Sequence, residues 1–435
     1  MARTPPSGKR PRASDKRPRD RKTQLAAVAA ELFRARGYHG VGINDIASAA
    51  GITGPALYRH FTDKQAILAH VLRAGLGELE AATDAAFGSA EHASNGRVGT
   101  LLTELAAKSV ERRDTAALWR WEGRYLDADT QRDLRERSAA ILATWTKMLL
   151  RARPGLSPED AELLCWAGLS VFGSVSVHRT SVPKRRFEQL LVDIAGRVLR
   201  ADPPGAGATA DVDVAAATEP LTTPSRREQI LTEATELFSS RGFSAVSMDD
   251  IGRAVGIAGP SVYRHFPSKA NLLGAIGRRA GDRLLLSAED ALRSDGEWPA
   301  LHRLAESYVA TLTGQPELLV SFSVDRVHID ERDRPDLLRI QREYVARWVQ
   351  LLEAARPELD TREAKITVHA ALTVANDLTR TRRVNRRPGL PADLVTLMST
   401  VLGSPTPERE TTGQNPAAQD VPGQDGPDRT ASGQG

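Results

Sequence analysis

Two short stretches of this sequence carry the same side chains in the same order, and these side chains suit contact with DNA. Residues 58–60 and residues 263–265 both read Tyr-Arg-His, followed by phenylalanine and, three positions later, by lysine. A guanidinium can donate two hydrogen bonds to guanine, and a tyrosine hydroxyl can donate to a phosphate. The pattern therefore favours nucleic-acid recognition.

Side chains that could perform catalysis or bind a metal show no comparable pattern. Cys165 is the single cysteine, so the chain has no internal disulfide, and a reducing, cytoplasmic setting is expected. His178, His328 and His369 have no partners at metal-ligand spacing. Phosphate loops, nucleophile elbows and paired carboxylates do not stand out. We expect no metal, no cofactor and no enzymatic activity; an enzyme on a helical scaffold is the weaker alternative.

The chain contains an internal repeat at a long period. At an offset of 205 positions, 19 of the 36 residues from Ala29 to Lys64 are identical in the second copy. Trp145 matches Trp348 at an offset of 203, with two residues lost between. A period near 200 indicates duplication of a complete protein and excludes a solenoid of short repeats.

The elements that must position these residues are predicted to be helices. Leu25, Val28, Ala29, Leu32 and Phe33 follow the 3.6-residue period, and no convincing alternating strand appears. The sequence therefore predicts an all-α protein of two tandem units. Each unit has an N-terminal three-helix DNA-binding domain and a helical effector and dimerisation domain.

A helix-turn-helix is predicted around each Tyr-Arg-His segment. A short helix from Ile43 ends at Gly51, where a left-handed backbone is needed, and a second helix begins near Pro55. In such a motif the second helix enters the major groove. At helical spacing Leu57 and Phe61 point into the core, which leaves the intervening residues for the exposed face.

The two lysines of the repeated motif lie at helix positions that the helix dipole disfavours for a cation. Lys64 and Lys269 occupy the first turn of the next helix, where a cation opposes the helix dipole. Because the placement occurs twice, it suggests an external phosphate as the partner, with an ordinary solvated lysine as the alternative.

The segments from Gly37 to Lys64 and from Gly242 to Lys269 resemble the N-terminal domain of the TetR/AcrR family of bacterial repressors. The likeness covers about 50 residues in each half. It implies a helical effector domain and dimerisation through its last two helices. It also places these residues at the DNA surface: Asn44, Thr53, Pro55, Ala56, Tyr58, Arg59, His60 and Lys64 in the first copy, and Asp249, Ala258, Pro260, Ser261, Tyr263, Arg264, His265 and Lys269 in the second.

The copies depart from the family pattern in different ways. The usual helix-capping hydroxyl is replaced by Gly42 in the first copy, whereas Ser247 keeps it in the second. The first copy also lacks a hydroxyl at Ala56. Asn44 corresponds to Asp249, and an aspartate near DNA repels phosphates. The two halves are therefore expected to read different half-sites.

The chain is expected to divide into seven segments. Residues 1–22, with a net charge of +7 from nine Lys or Arg against two Asp, are predicted to be a disordered basic arm that adds salt-sensitive affinity. A linker and a loose tail are expected at 201–222 and 404–435. The remaining segments are the DNA-binding domains at 23–72 and 223–277 and the effector domains at 73–200 and 278–403.

The sequence thus predicts a ligand-responsive transcription regulator of the bacterial cytoplasm, bound to the nucleoid when on DNA. The expected partners are a double-stranded operator with an imperfect palindrome and a small apolar effector, with no membrane association. The two halves are expected to pair through helices near 158–178, 184–200, 361–382 and 389–402, and further homodimerisation is left open. A nonspecific DNA-binding or chromatin protein is the main alternative.

Overall fold

The computed structural model describes residues 18–88, 95–113, 116, 118, 123–204, 224–314, 316–323 and 328–405. Every regular element within these ranges is a helix, which confirms the all-α prediction. The helices of the first half are α1 Pro18–Arg36, α2 Ile43–Ala49, α3 Gly54–Tyr58, α4 Lys64–Phe87, α5 Asn95–Glu111, α6 Ala128–Ala152, α7 Pro158–Gly173 and α8 Lys184–Arg200. Those of the second half are α9 Arg226–Arg241, α10 Met248–Val255, α11 Gly259–Val262, α12 Lys269–Ala291, α13 Glu297–Gly314, α14 Pro316–Ser323, α15 Arg334–Ala355, α16 Thr361–Arg380 and α17 Leu390–Leu402.

The first helix begins earlier than predicted, inside the segment assigned to the basic arm. Arg21 Nη2 donates to the carbonyl of Ala50 at 3.4 Å, and the second copy repeats this contact from Arg226 Nη1 to the carbonyl of Val255 at 3.2 Å. The arm boundary at residue 22 was therefore wrong, because the last basic residues tie α1 to the helix-turn-helix. Residues 1–17, the linker from 205 to 223 and the tail from 406 onward lie outside the described residues.

Each DNA-binding domain is joined to its effector domain by a continuous helix. The expected boundaries after residues 72 and 277 fall inside α4 and α12. Each of these two helices is therefore shared by the two predicted domains that it connects. No helix of the described chain is both long enough and apolar enough to cross a bilayer.

The two halves pack together through four helices, as expected from the sequence. Helix α16 lies against α7, α17 and, more lightly, α8, and α17 also contacts α8. The facing positions are apolar and buried on both sides, and one apolar cluster runs from the first DNA-binding domain through both effector domains. The interface resembles a domain core because both contributing surfaces are shielded from water.

Reciprocal ion pairs border this interface. Arg186 in the first turn of α8 pairs with Glu363 in the first turn of α16, and Arg387 before α17 pairs with Asp160 in the first turn of α7. Arg387 Nε also contacts Asp393 Oδ2 at 2.6 Å, and Asp393 is completely buried. The equivalent arrangement from each half gives the contact an approximate two-fold symmetry.

Two histidines that are not equivalent in the repeat stack within the interface. The rings of His178 and His369 lie 4.9 Å apart between centroids at an interplanar angle of 23°. Burial lowers the pKa of His178 to about 3, aided by the neighbouring His369, Arg113 and Lys365. Burial likewise lowers the pKa of His369 to about 4. Both rings are therefore neutral in the folded protein at physiological pH.

Arg387→Met should lower the free energy of unfolding by about 3–5 kcal/mol, because it removes the arginine that pairs with the buried carboxylate of Asp393. Urea-induced unfolding measures the change. Arg383→Met is the control, since the Arg383 side chain is 67% exposed in its 2.7 Å pair with Glu162. Such a pair is worth about 1 kcal/mol or less. Equal losses for the two variants would contradict the importance of the buried pair.

The free energy of unfolding should fall as the pH drops below about 6.5, because His178 and His369 bind protons in the unfolded chain but stay neutral in the folded protein. The loss should grow down to about pH 4, near the folded pKa of His369. His178→Phe with His369→Phe should flatten this part of the stability curve, measured by urea unfolding at successive pH values. His302→Phe, at an exposed histidine, is the matched control. An unchanged slope in the double variant would refute the assignment.

Candidate nucleic-acid interface

The first helix-turn-helix is formed by α2 and α3, as predicted. Gly51 has a φ of 66°, and after it the Ile52 N–H donates back to the carbonyl of Ala47 at 2.9 Å. This left-handed position lets the chain reverse, and glycine adopts it without a steric penalty. Ile46, Leu57 and Phe61 are buried beneath the two helices.

The second copy builds the same motif from α10 and α11. Gly256 ends α10 in the left-handed conformation with a φ of 73°. Ile251, Val262 and Phe266 are buried at the positions of the first copy's core residues. The interior of this domain forms an apolar cluster of its own, joined by Val320 of α14.

Most of the predicted contact residues lie on one exposed face of each motif. Tyr58 is 55% exposed and Tyr263 is 51% exposed, which is unusual for large side chains in this protein. The Tyr58 side chain is therefore not packed into the interior of its domain. The other exposed members are Asn44, Thr53, Pro55 and Arg59 in the first copy and Asp249, Ala258, Pro260, Arg264 and His265 in the second, while Ala56, His60 and Ser261 are half-buried.

The two lysines instead contact their own domains. Lys64 Nζ donates to the carbonyls of Tyr38 at 2.7 Å and Val41 at 2.9 Å, and it lies 4.2 Å from the centroid of the Tyr38 ring. These contacts hold the loop before α2 against the start of α4. Carbonyls and an aromatic face inside the domain stabilise the cation, so its position against the helix dipole does not by itself indicate an external phosphate.

Lys269 repeats the arrangement in the second copy. Its Nζ donates to the carbonyls of Phe243 at 2.8 Å and Val246 at 2.7 Å, and it lies 4.4 Å from the centroid of the Phe243 ring. Burial lowers the pKa of this lysine. A contact of either lysine with a phosphate as well stays a prediction.

The loop that each lysine holds was missed by sequence reasoning. Tyr38 and Phe243 are aligned in the repeat, and both supply a carbonyl and a ring to the lysine that follows them by 26 positions. Their shared aromatic character was the available signal. The contacts of Arg21 and Arg226 were missed because these two residues, which are also aligned in the repeat, lie upstream of the matched segment that begins at Ala29.

Asn44 and Asp249 lie against the start of each recognition helix. A Cβ atom at Gly54 would lie 2.9 Å from Asn44 Oδ1, and one at Gly259 would overlap the carboxylate of Asp249. Glycine at this position therefore lets the first helix of the motif approach the second. The carboxylate of Asp249 brings negative charge beside the face that carries Tyr263 and Arg264.

The caps of α2 and α10 differ as predicted. In the second copy Ser247 Oγ accepts from the Asp250 N–H at 3.1 Å, and Asp250 Oδ2 accepts from the Ser247 N–H at 2.9 Å. The Ser247 hydroxyl also donates to Asp250 Oδ2 at 2.6 Å, and this bond together with the one from the Ser247 N–H lowers the pKa of Asp250 to about 2. In the first copy only the reverse contact is possible, from the Gly42 N–H to Asp45 Oδ2 at 2.7 Å. The second motif thus has the more complete cap.

Lys64→Met should lower the free energy of unfolding by about 1–3 kcal/mol, because two buried carbonyls lose a charged donor. Tyr58→Phe is the matched control in the same domain and should change stability by less than about 0.5 kcal/mol, since the Tyr58 side chain is largely exposed. Urea unfolding followed by circular dichroism separates the two. An unaltered stability for the lysine variant would contradict its structural role.

Comparison with known proteins supports the duplicated motif. The family described as bacterial regulatory proteins, tetR family, matches residues 25–71 and again residues 230–276. The transcriptional activator FasR of Mycolicibacterium smegmatis is 41% identical over 69 residues, which are 16% of this chain and 32% of that protein. The repressor DhaR of Mycobacterium sp. strain GP1 is 30% identical over 122 residues, which are 27% of this chain and 61% of that protein. The chain thus spans between a third and three fifths of these relatives.

Solved structures show similarity over about one half of the chain. The ketosteroid transcriptional regulator KstR2 of Mycobacterium tuberculosis matches with 22% identity and a TM-score of 0.36, covering 40% of this chain and 93% of that one. AibR, solved with isovaleryl coenzyme A and operator DNA, matches with 16% identity and a TM-score of 0.36, covering 40% of this chain and 97% of that one. The model of the tetR family of bacterial regulatory proteins thus matches this chain at two places, and each match spans one of the two helix-turn-helix motifs.

Proposed function

We propose that this chain is a sequence-specific, DNA-binding transcription regulator and acts as a ligand-responsive repressor. One observation carries the proposal: the chain has two exposed Tyr-Arg-His faces, on domains whose effector parts pair through one interface. Operators of this kind need two recognition helices about one helical turn of DNA apart, roughly 34–36 Å. A single polypeptide here contains both helices, so it can act as an intrachain pseudo-dimer.

The exposed side chains divide into two roles on DNA. Tyr58 and Tyr263 suit phosphate contacts, since a hydroxyl on the rim of a recognition helix can donate to the backbone. Arg59 and Arg264 suit base readout, because a guanidinium pairs with guanine O6 and N7. Thr53 and Ala258 begin their helices without a side-chain cap, which keeps the backbone N–H groups at the helix start accessible to a phosphate.

The two half-sites are proposed to differ. Asn44 can both donate and accept hydrogen bonds, whereas the carboxylate of Asp249 only accepts and favours cytosine N4 as a donor. Ser261 adds a hydroxyl that Ala56 lacks. These differences lie within or beside the exposed faces, so they support an imperfect palindrome as the operator.

The regulatory part of the proposal concerns an apolar effector. Binding in the helical effector region would tilt α4 or α12, each of which enters a DNA-binding domain directly, and would change the separation of the recognition helices. Relatives of this chain include an activator as well as repressors, so a reporter gene measures the direction of control. The proposed setting is the bacterial cytoplasm, and the chain is proposed to have no enzymatic activity.

Selection of bound sequences from a random DNA pool should return one two-part, asymmetric site, bound at one chain per site. Arg59→Ala should relax specificity in one half-site and Arg264→Ala in the other, each at a cost of about 1–3 kcal/mol at the affected base pair. Tyr58→Phe is the companion variant that should weaken all sequences alike. Uniform binding of every sequence would instead indicate a nonspecific DNA-binding protein and would contradict the proposal.

A further inference from the structure

The first half has a narrow apolar pocket among its later helices. The pocket is partly open to solvent and lies between α4, α5, α6 and α7 and the end of α8. Leu105 of α5, Trp145 of α6 and Phe172 of α7 contribute to its wall. All lining side chains are apolar except for the indole N–H of Trp145 and the thiol of Cys165.

The corresponding space in the second half is occupied by aromatic rings. At the offset of 203 positions, Leu105 becomes Tyr308 and Trp145 becomes Trp348. The Tyr308 ring lies edge to face with Trp348 at 6.5 Å between centroids, and Tyr344 stacks on Tyr308 at 6.2 Å. The Tyr308 hydroxyl accepts a hydrogen bond from Asn376 Nδ2 at 2.9 Å, which fixes the ring in place.

Residue exposure distinguishes the two halves in the same way. Trp145 and Leu149 on the cavity wall retain 8% and 7% exposure, whereas their counterparts Trp348 and Leu352 have none. Leu199 at the end of α8 is half-buried, whereas its counterpart Leu402 is buried. The wall residues of the first half are therefore slightly more accessible to solvent than their equivalents in the second half.

The second half also has smaller residues where a large ring must fit. Leu102 and Phe172 on the cavity wall correspond to Ala305 and Ala375. These exchanges leave room for the Tyr308 ring, which is 1% exposed. An interior filled in this way resists the entry of a further molecule, because overpacking forces strain on its neighbours.

We propose that only the first half of the chain receives an effector, that this effector is neutral and apolar, and that Tyr308 closes the equivalent site in the second half. The inference rests on the proposed function, which leaves the number of effectors open. The second half then contributes a recognition helix to DNA binding, while its own effector core is permanently filled by side chains. One effector molecule per chain would move one DNA-binding domain against a fixed one.

The chemistry of the wall limits the ligand class. The Trp145 N–H already donates to Thr83 Oγ1 at 2.9 Å. Burial raises the pKa of the Cys165 thiol to about 12, so the thiol carries no charge at physiological pH. An ionised carboxylate or phosphate would lose its hydration without gaining a partner, which is strongly unfavourable. A neutral, hydrocarbon-rich molecule meets no such penalty.

The test uses 1-decanol as the probe and the full chain in isothermal titration calorimetry. The wild-type chain should bind one molecule, and decanoate at pH 7 should bind at least about tenfold more weakly because its charge is desolvated. Leu105→Tyr should weaken 1-decanol binding by at least about tenfold, because the introduced ring fills the cavity. Tyr308→Leu with Tyr344→Ile, which installs the first half's residues, should raise the stoichiometry to two.

Tyr308→Phe is the matched control, since it keeps the ring and should leave the stoichiometry at one. Two molecules bound by the wild type, no binding by the wild type, or unchanged binding by Leu105→Tyr would each overturn the inference. Should Leu105→Tyr fail to fold, the Tyr308/Tyr344 variant decides alone, and a stoichiometry of one would then count against it. Operator binding is measured on the same samples, so loss of DNA recognition by the wild type would be seen separately as failure of the proposed function.

Discussion

The packing of α7 and α8 against α16 and α17 is the contact on which the paired arrangement depends. Two recognition helices can address one operator only if their separation is held, and the main contacts between the two halves of the described chain are made by these four helices. The interface does this with an apolar interior and with arginine–carboxylate pairs at its border. Arg387 lies between Asp160 and the fully buried Asp393. A shift of α7 along α17 would separate these charges in the interior, which is energetically unfavourable.

Fusion of two protomers changes what this interface can contain. In a two-fold dimer of identical chains, each contact between two different residues occurs twice. A single substitution therefore changes the interface at two symmetric places. Here each half can change alone. His178 and His369 stack although they are not equivalent in the repeat, and the two effector cores differ at Leu105 and Tyr308. The same freedom extends to Asn44 and Asp249 beside the recognition helices.

Transmission between the domains rests on a simple mechanical feature. Helices α4 and α12 begin beside the helix-turn-helix and end deep in the effector domain, and Lys64 and Lys269 fasten the preceding loops to their first turns. In the proposed regulation, rotation of either helix would carry the helix-turn-helix with it. This explains why a lysine is kept where the helix dipole disfavours it: the local electrostatic cost is small beside two charged hydrogen bonds and a ring contact.

The sequence by itself determined the all-α class, the duplication, the position of both helix-turn-helix motifs and the exposed face of each. These features depend on local periodicity, on glycine at left-handed positions such as Gly51 and on identity between the copies, all of which can be read along the chain. The tertiary structure decided the rest. The internal partners of Lys64 and Lys269, the extension of α1 to Arg21 and the contrast between the open and filled effector cores depend on residues far apart in sequence. Their proximity follows from how the helices pack, and no periodic pattern encodes it.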